Sequence, residues 1–128
     1  MRTTGRRIER GMIVLGAGVL VSAWMAVIFA SAPPDRINYQ GVLRDATDHP
    51  RTGVFDMVFR IWTAPTLGDE VLVDSHLASG SGGVVVTGGL FSVAVGSGTM
   101  ADGSGPGTYT SMSEAFRAYG SLYLEIAV

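Results

Sequence analysis

The sequence predicts an all-β fold, an antiparallel β-sandwich of the immunoglobulin-like kind, preceded by an apolar N-terminal helix that acts as a signal peptide or membrane anchor. Six short segments alternate apolar with other residues, as half-buried strands do. Turn-forming residues separate these segments, and the chain contains 18 Gly and 5 Pro. No long stretch after residue 32 shows the periodicity of an amphipathic helix.

The first 32 residues differ in composition from the rest. Residues 1–10 carry four arginines and one acid, and residues 11–30 follow without a charge. A basic region, an apolar run and small residues at 30–32 are typical of a secretory signal peptide, although an apolar run of this length also suits a membrane anchor. We predict that residues 33–128 are secreted, periplasmic or at the cell surface, or are anchored outside. Membrane contact is expected only through residues 11–30, if this segment stays uncleaved.

The predicted exported domain is acidic. From residue 33 onward, five arginines stand against ten acidic residues, which gives a formal net charge of −5. An acidic domain without a basic stripe is unsuited to binding phosphates, so we expect no nucleic-acid partner. The chain has no Cys, which excludes disulfides and thiolate metal sites and suits an oxidising compartment.

Residues 36–44 predict the first strand, with Ile37 and Tyr39 facing inward and Gly41 at a bulge. Residues 45–53 predict a turn because they combine Asp, Pro and Gly in a polar run.

Residues 54–62 predict the central strand. One side of the extended chain is apolar: Phe55, Met57, Phe59 and Ile61. The other side is mixed: Asp56, Val58, Arg60 and Trp62. The apolar side is expected to face the core, and Asp56 and Arg60 to form an exposed charge pair.

Residues 63–70 contain Pro and Gly and are expected to reverse the chain before a strand at 71–77. Alternation predicts an inward row of Val71, Val73 and Leu77. It predicts an outward row of Leu72, Asp74 and His76.

The Gly88-Gly89 pair predicts a hairpin between strands at 84–87 and 90–95, since two glycines can both adopt positive φ angles. The inward residues of the second strand are expected to be Phe91, Val93 and Val95.

Residues 96–110 are rich in Gly and predict a long mobile loop. One helical turn is predicted at 111–116, capped by Ser111 or Ser113 and pinned to the core by Phe116. Residues 122–128 predict the last strand, with an inward row of Leu122, Leu124, Ile126 and Val128. Since this strand ends with the chain, we expect the domain to be truncated at its C-terminal end. The strands at 71–77 and 122–128 are expected to be sheet edges that recruit partners.

The sequence offers no catalytic constellation, and we predict a non-enzymatic domain without a cofactor. Its two histidines are His49, in a turn without suitably spaced metal ligands, and His76, beside Ser75. Neighbours in a strand point to opposite faces, so Ser75 and His76 cannot form a local nucleophile and base.

Calcium is the one metal for which the acidic residues offer candidate ligands. Its candidate ligands are three aspartates that are close in sequence, Asp45, Asp48 and Asp56, and Asp102 in the predicted loop. Their spacing does not match an EF-hand, and turn capping by Asp is the ordinary explanation.

Trp62 and Tyr123, both predicted on outer faces, are the candidate contacts for a ligand or partner. Exposed aromatic rings stack on sugar rings or pack against another protein. The alternative is that the two side chains pair across strands or cover the sheet.

Several runs in this order resemble a known module: residues 37–41 (I-N-Y-Q-G), the turn at 45–53, residues 55–57 with 59–60, residues 89–93 followed by Gly96, and residues 123–128 (Y-L-E-I-A-V). Together they resemble an N-terminal β-sandwich module of secreted, mostly uncharacterised, multi-domain bacterial surface proteins. The resemblance implies no catalytic residues, and it implies downstream domains or other surface proteins as partners.

We therefore expect an exported, non-enzymatic structural or adhesive module at the bacterial cell surface. The alternative is a carbohydrate-binding module that holds a polysaccharide on Trp62 and Tyr123.

Overall fold

The computed structural model describes residues 31–128; the predicted signal peptide or anchor at 1–30 lies outside the described residues. The strands in this part are β1 (Ile37–Val42), β2 (Gly53–Phe55), β3 (Met57–Trp62), β4 (Glu70–His76), β5 (Val84–Val86), β6 (Leu90–Val95), β7 (Thr99–Asp102) and β8 (Tyr123–Ala127). One helix, α1 (Met112–Ala118), precedes β8. Residues 31–128 contain no helix long and apolar enough to cross a membrane.

All strand pairs are antiparallel. The largest sheet has four strands in the order β7-β4-β3-β8, and β1 pairs with β6 and β2 with β5 in two smaller sheets. The all-β, antiparallel prediction is therefore confirmed for the described residues.

The predicted central strand is two strands in different sheets. Asp56 separates β2 from β3, and its carboxylate accepts a hydrogen bond from the Ala78 N–H at 2.8 Å. The chain leaves one sheet and enters another at this residue. In β3 the predicted inward row is confirmed: Met57, Phe59 and Ile61 are 0%, 0% and 4% exposed.

One hydrophobic core joins the three sheets and the helix. Its buried members are Met57, Phe59, Ile61, Val71, Leu72, Val84, Val86, Val93, Val95, Met112 and Ala115. The Tyr39 ring meets the Phe59 ring edge to face at 6.3 Å, which links β1 to β3. The inward positions predicted for Val93 and Val95 are confirmed.

The prediction for the faces of β4 is wrong for most of the strand. Ile61 lies opposite Leu72, whereas Trp62 lies opposite Glu70, so Val71 is an extra residue at a bulge. The bulge buries both Val71 and Leu72 and reverses the alternation that follows. Asp74 and His76, expected outside, are buried, and the half-buried Val73 lies opposite Arg60 on the outer face.

Gly41 is not at a bulge, since it pairs with Phe91 in an unbroken register. A Cβ atom at Gly41 would lie 2.5 Å from the Phe91 ring, so a larger residue here would force this ring to move.

The hairpin turn is confirmed. Gly88 and Gly89 have φ angles of 57° and 85°, and Thr87 and Leu90 exchange two backbone hydrogen bonds of 3.0 Å. Beyond the turn, β5 and β6 separate into different sheets.

The segment predicted as a mobile loop contains β7, which pairs with β4. Strand β4 is therefore internal, and the edge predicted at 71–77 is wrong, whereas β8 is an edge of the sheet within residues 31–128, as expected. Helix α1 is longer than the predicted single turn. Ser111 is its N-cap, and Ser111 and Glu114 form a capping box. Phe116 is half-buried against the core, as predicted.

The predicted burial of two residues near the C-terminal end is wrong. Leu124 and Val128 are 41% and 65% exposed. In the described residues no strand follows β8 in the sheet, so side chains that point inward by alternation are not covered at this edge.

Candidate functional site

The four-stranded sheet brings the two candidate aromatics together. Antiparallel pairing of β3 with β8 places Trp62 directly opposite Tyr123. Residues opposite each other in such a pair project from the same face, so both rings belong to the outer face. Trp62 is half-buried and Tyr123 is 43% exposed. The register therefore makes Trp62 and Tyr123 cross-strand neighbours, and contact of either ring with a ligand stays a proposal.

A carboxylate orients the indole ring. The Trp62 Nε1–H donates a hydrogen bond of 2.7 Å to Oε2 of Glu125, which lies two residues after Tyr123 on β8. A hydrogen bond to a charged acceptor is stronger than one between neutral groups. Glu125 therefore fixes the ring on the sheet, a role that sequence reasoning missed because it depends on the β3–β8 register.

The ion pair on this face differs from the predicted one. Arg60 Nε lies 3.2 Å from Oε2 of Glu70, on the opposite side from β8, rather than next to Asp56. Asp56 precedes β3 and bonds the backbone of Ala78 instead. The guanidinium of Arg60 is therefore already paired, although Arg60 also lies opposite Glu125 in the β3–β8 register.

An open groove of about 500 Å³ lies beside the aromatic pair. Its walls come from the end of β3, the β3–β4 loop and the start of β8: Trp62, Ala64, Pro65, Thr66, Leu67, Gly68, Tyr123, Leu124 and Glu125. Leu67 is fully exposed with a φ angle of 55°, so an apolar side chain stands in solvent at the rim. In such a groove the two aromatic rings and the apolar rim can pack against a ring of a bound molecule, and the carboxylate can accept a hydrogen bond from it.

The most chemically distinctive buried group is Asp74. Its Oδ2 accepts the Gly96 N–H at 2.6 Å and lies 2.8 Å from His76 Nε2, and its Oδ1 accepts the Gly98 N–H at 2.9 Å. Asp74 and His76 share a face of β4 because they are two residues apart. Asp74 therefore ties the β6–β7 connection to β4, and this tie was missed because alternation alone placed both residues outside.

His76 is held on two sides. Besides Asp74, it meets the Phe59 ring edge to face at 5.6 Å. Ser75 lies between Asp74 and His76 in sequence but on the opposite face of β4, as predicted from strand geometry. It pairs in register with Val58.

Three of the aspartates proposed as calcium ligands, Asp45, Asp48 and Asp102, pair with groups nearby in the chain, whereas Asp56 bonds the backbone of Ala78. Asp45 accepts hydrogen bonds from the backbone N–H groups of Thr47 and His49, at 2.9 and 3.0 Å. A third bond, from the Thr47 hydroxyl, is the leading cause of a lowered pKa of Asp45. Asp48 lies 3.7 Å from Arg44, and Asp102 accepts the Tyr109 N–H at 2.8 Å. Among residues 31–128, no three acidic, His or Cys side chains cluster as metal ligands.

Residues 38–128 match the family described as a domain of unknown function, DUF8740, and the chain belongs to this family. The matched region includes Trp62, Tyr123 and Glu125. No curated protein and no solved structure matches the chain.

Proposed function

We propose that this protein is an exported, non-enzymatic structural or adhesive module at the bacterial cell surface. Residues 1–32 serve as signal peptide or anchor, and the sheets of residues 33–128 form an immunoglobulin-like sandwich. The observation that carries the proposal is the outer face of the β3–β8 pair. Trp62 and Tyr123 stand side by side there, next to an open groove and a strand edge with which no strand of residues 31–128 pairs. These are features of a surface that contacts another molecule.

The bonding of Asp74 and His76 supports a non-enzymatic role. A catalytic dyad needs a base that faces a reacting group. Here both carboxylate oxygens of Asp74 accept hydrogen bonds from backbone N–H groups, and His76 is only 7% exposed. The pair therefore acts as a structural tie.

Export is tested by expressing the full chain in a bacterial host and fractionating the cells. We expect the protein in the envelope or the medium, cleaved near residue 30 or retained by residues 11–30. Protease added to intact cells, or to cells with a permeabilised outer membrane, should digest any anchored form. A protein found intact in the cytoplasm would overturn the proposal.

A second candidate function is carbohydrate binding, favoured by the adjacent Trp62 and Tyr123. Stacking on a ring is worth about 1 kcal/mol or slightly more per aromatic pair, which suits weak binding to a polysaccharide. Binding on a glycan array should be lost in Trp62→Ala and largely kept in Trp62→Phe, which retains a ring. Leu90→Ala, at an exposed site on β6, is the control. Absence of binding to every glycan would remove this candidate.

A further inference from the structure

We propose that the free edge of β8 accepts an extended strand from a partner protein in which apolar residues flank a basic one. The inference rests on the proposed surface role and names the kind of partner. Strand β8 is last in its sheet, and no strand in residues 31–128 pairs with the side away from β3. Backbone donors and acceptors along such an edge are satisfied by an added strand.

The inward row of β8 calls for apolar side chains on that strand. Leu124 lies opposite the buried Ile61, yet it is 41% exposed. Beside Leu124 is an apolar cavity of about 80 Å³, whose lining includes Ile37, Met112 and Phe116. This volume is about half that of an apolar cavity that accepts benzene, so one small aliphatic side chain fits it better than a free ligand does.

A second hollow lies at the other end of the strand. It has a volume of about 270 Å³, and its walls include Leu43, Phe55 and the exposed Val128. Side chains two residues apart on an added strand point to the same side. A strand with apolar residues on its inward side therefore covers Leu124 and extends toward Val128.

Charge distinguishes the partner from a second copy. Glu125 is the acidic residue of β8, and no Arg or His nitrogen in the described residues lies within 4.0 Å of its carboxylate. Arg60, its register partner, is paired with Glu70. Two copies of β8 paired antiparallel about their centres would bring two Glu125 carboxylates together, which is unfavourable. A strand with Arg or Lys opposite Glu125 instead supplies the missing charge.

The probe is a cyclic hairpin peptide whose outer strand reads Thr-Leu-Arg-Val-Thr, preorganised to lower the cost of ordering. One control peptide carries Glu in place of Arg, and another exchanges the apolar and Thr positions. The protein is prepared from cells expressing the full chain, in the form that accumulates. Peptide binding is followed by calorimetry and by NMR shifts of the β8 amides and the Leu124 methyl groups.

We expect the Arg peptide to bind about fivefold more tightly than the Glu peptide, since one cross-strand charge pair contributes up to about 1 kcal/mol. Glu125→Gln should largely remove this preference while leaving an acceptor for the Trp62 indole. Leu124→Ser should weaken binding about fivefold through lost apolar contact, whereas Leu90→Ser on β6 should not.

Three results would overturn the inference: equal binding of the Arg and Glu peptides, NMR shifts confined to residues away from β8, or a β8-mediated dimer in sedimentation experiments without peptide. Cell fractionation separates this inference from the proposed function. An exported protein that ignores the peptides contradicts the strand-acceptor role alone, whereas a cytoplasmic protein contradicts the surface role.

Discussion

Strands β3 and β8 are neighbours in one sheet, yet they differ in burial. Both alternate, as M-V-F-R-I-W and Y-L-E-I-A. The inward row of β3 is almost completely buried, because β4 and β8 flank it and the smaller sheets cover it. The corresponding row of β8 is half exposed at Leu124. Alternation therefore determines the direction of a side chain, and the number of neighbouring strands determines its burial.

The largest expected effect tests the central strand. Phe59→Ala removes a ring with 0% exposure that contacts Tyr39 and His76. It should lower the free energy of unfolding by about 3–5 kcal/mol, measured by reversible urea denaturation. Val85→Ala, at a site 65% exposed, should change it by less than about 0.5 kcal/mol. A loss below about 1 kcal/mol for Phe59→Ala would contradict its place in the core.

The next effect concerns the polar part of the core. Asp74→Ala leaves the Gly96 and Gly98 N–H groups without their acceptor. It should cost about 2–4 kcal/mol of unfolding free energy, because each of these partly buried N–H groups loses a hydrogen bond to a charged acceptor. Hydrogen exchange of these two amides should accelerate. Ser75→Ala, on the outer face, is the matched control, and equal losses in both variants would refute the tie.

A smaller effect is expected in α1, which borders the cavity beside β8. Ser111→Ala removes the N-cap that accepts the Glu114 N–H, and should cost about 1 kcal/mol. Ser113→Ala should lower the free energy of unfolding by less, as measured by thermal unfolding, since Ser113 is a residue within the helix and not its cap. If Ser113→Ala were the more harmful change, the assignment of the cap would be wrong.

The comparison between the strands is sharpest at Leu124 and Ile61, which lie opposite each other. Ile61→Ala should cost about 2–5 kcal/mol, as for a fully buried aliphatic residue. Leu124→Ala should cost less than about 1 kcal/mol, because much of the side chain is already in water. Similar losses in the two variants would show that β8 is covered in solution.

The smallest effect is a dependence on pH. Hydrogen bonds from the Thr110 N–H and hydroxyl, and a weaker one from Ser111, lower the pKa of Glu114 below its ordinary value of 4.5. The carboxylate therefore stabilises the fold above this pH, and the contribution is lost as the pH falls through the lowered value. Glu114→Gln should flatten this part of the profile of unfolding temperature against pH. An unchanged acid profile would contradict the role of Glu114 in the capping box.

Much of the fold and part of the candidate site follow from sequence. The Gly88-Gly89 turn was found because φ > 0 is a local requirement, and the inward row of β3 was found because alternation is local. Trp62 and Tyr123 were found as outer-face aromatics. The partnership of Trp62 with Glu125 was missed because 63 positions separate them and only the register joins them.

The sequence by itself determined the strand segments, the side to which most side chains point, and the chemistry of turns and caps, since these depend on near neighbours. Tertiary structure decided the rest. The bulge at Val71 turned Asp74 and His76 into the core, Asp56 divided one apolar run between two sheets, and the pairing of β7 made β4 internal. The strand order within residues 31–128 also leaves β8 at the edge of its sheet. Strand order depends on contacts between distant segments that no local pattern encodes.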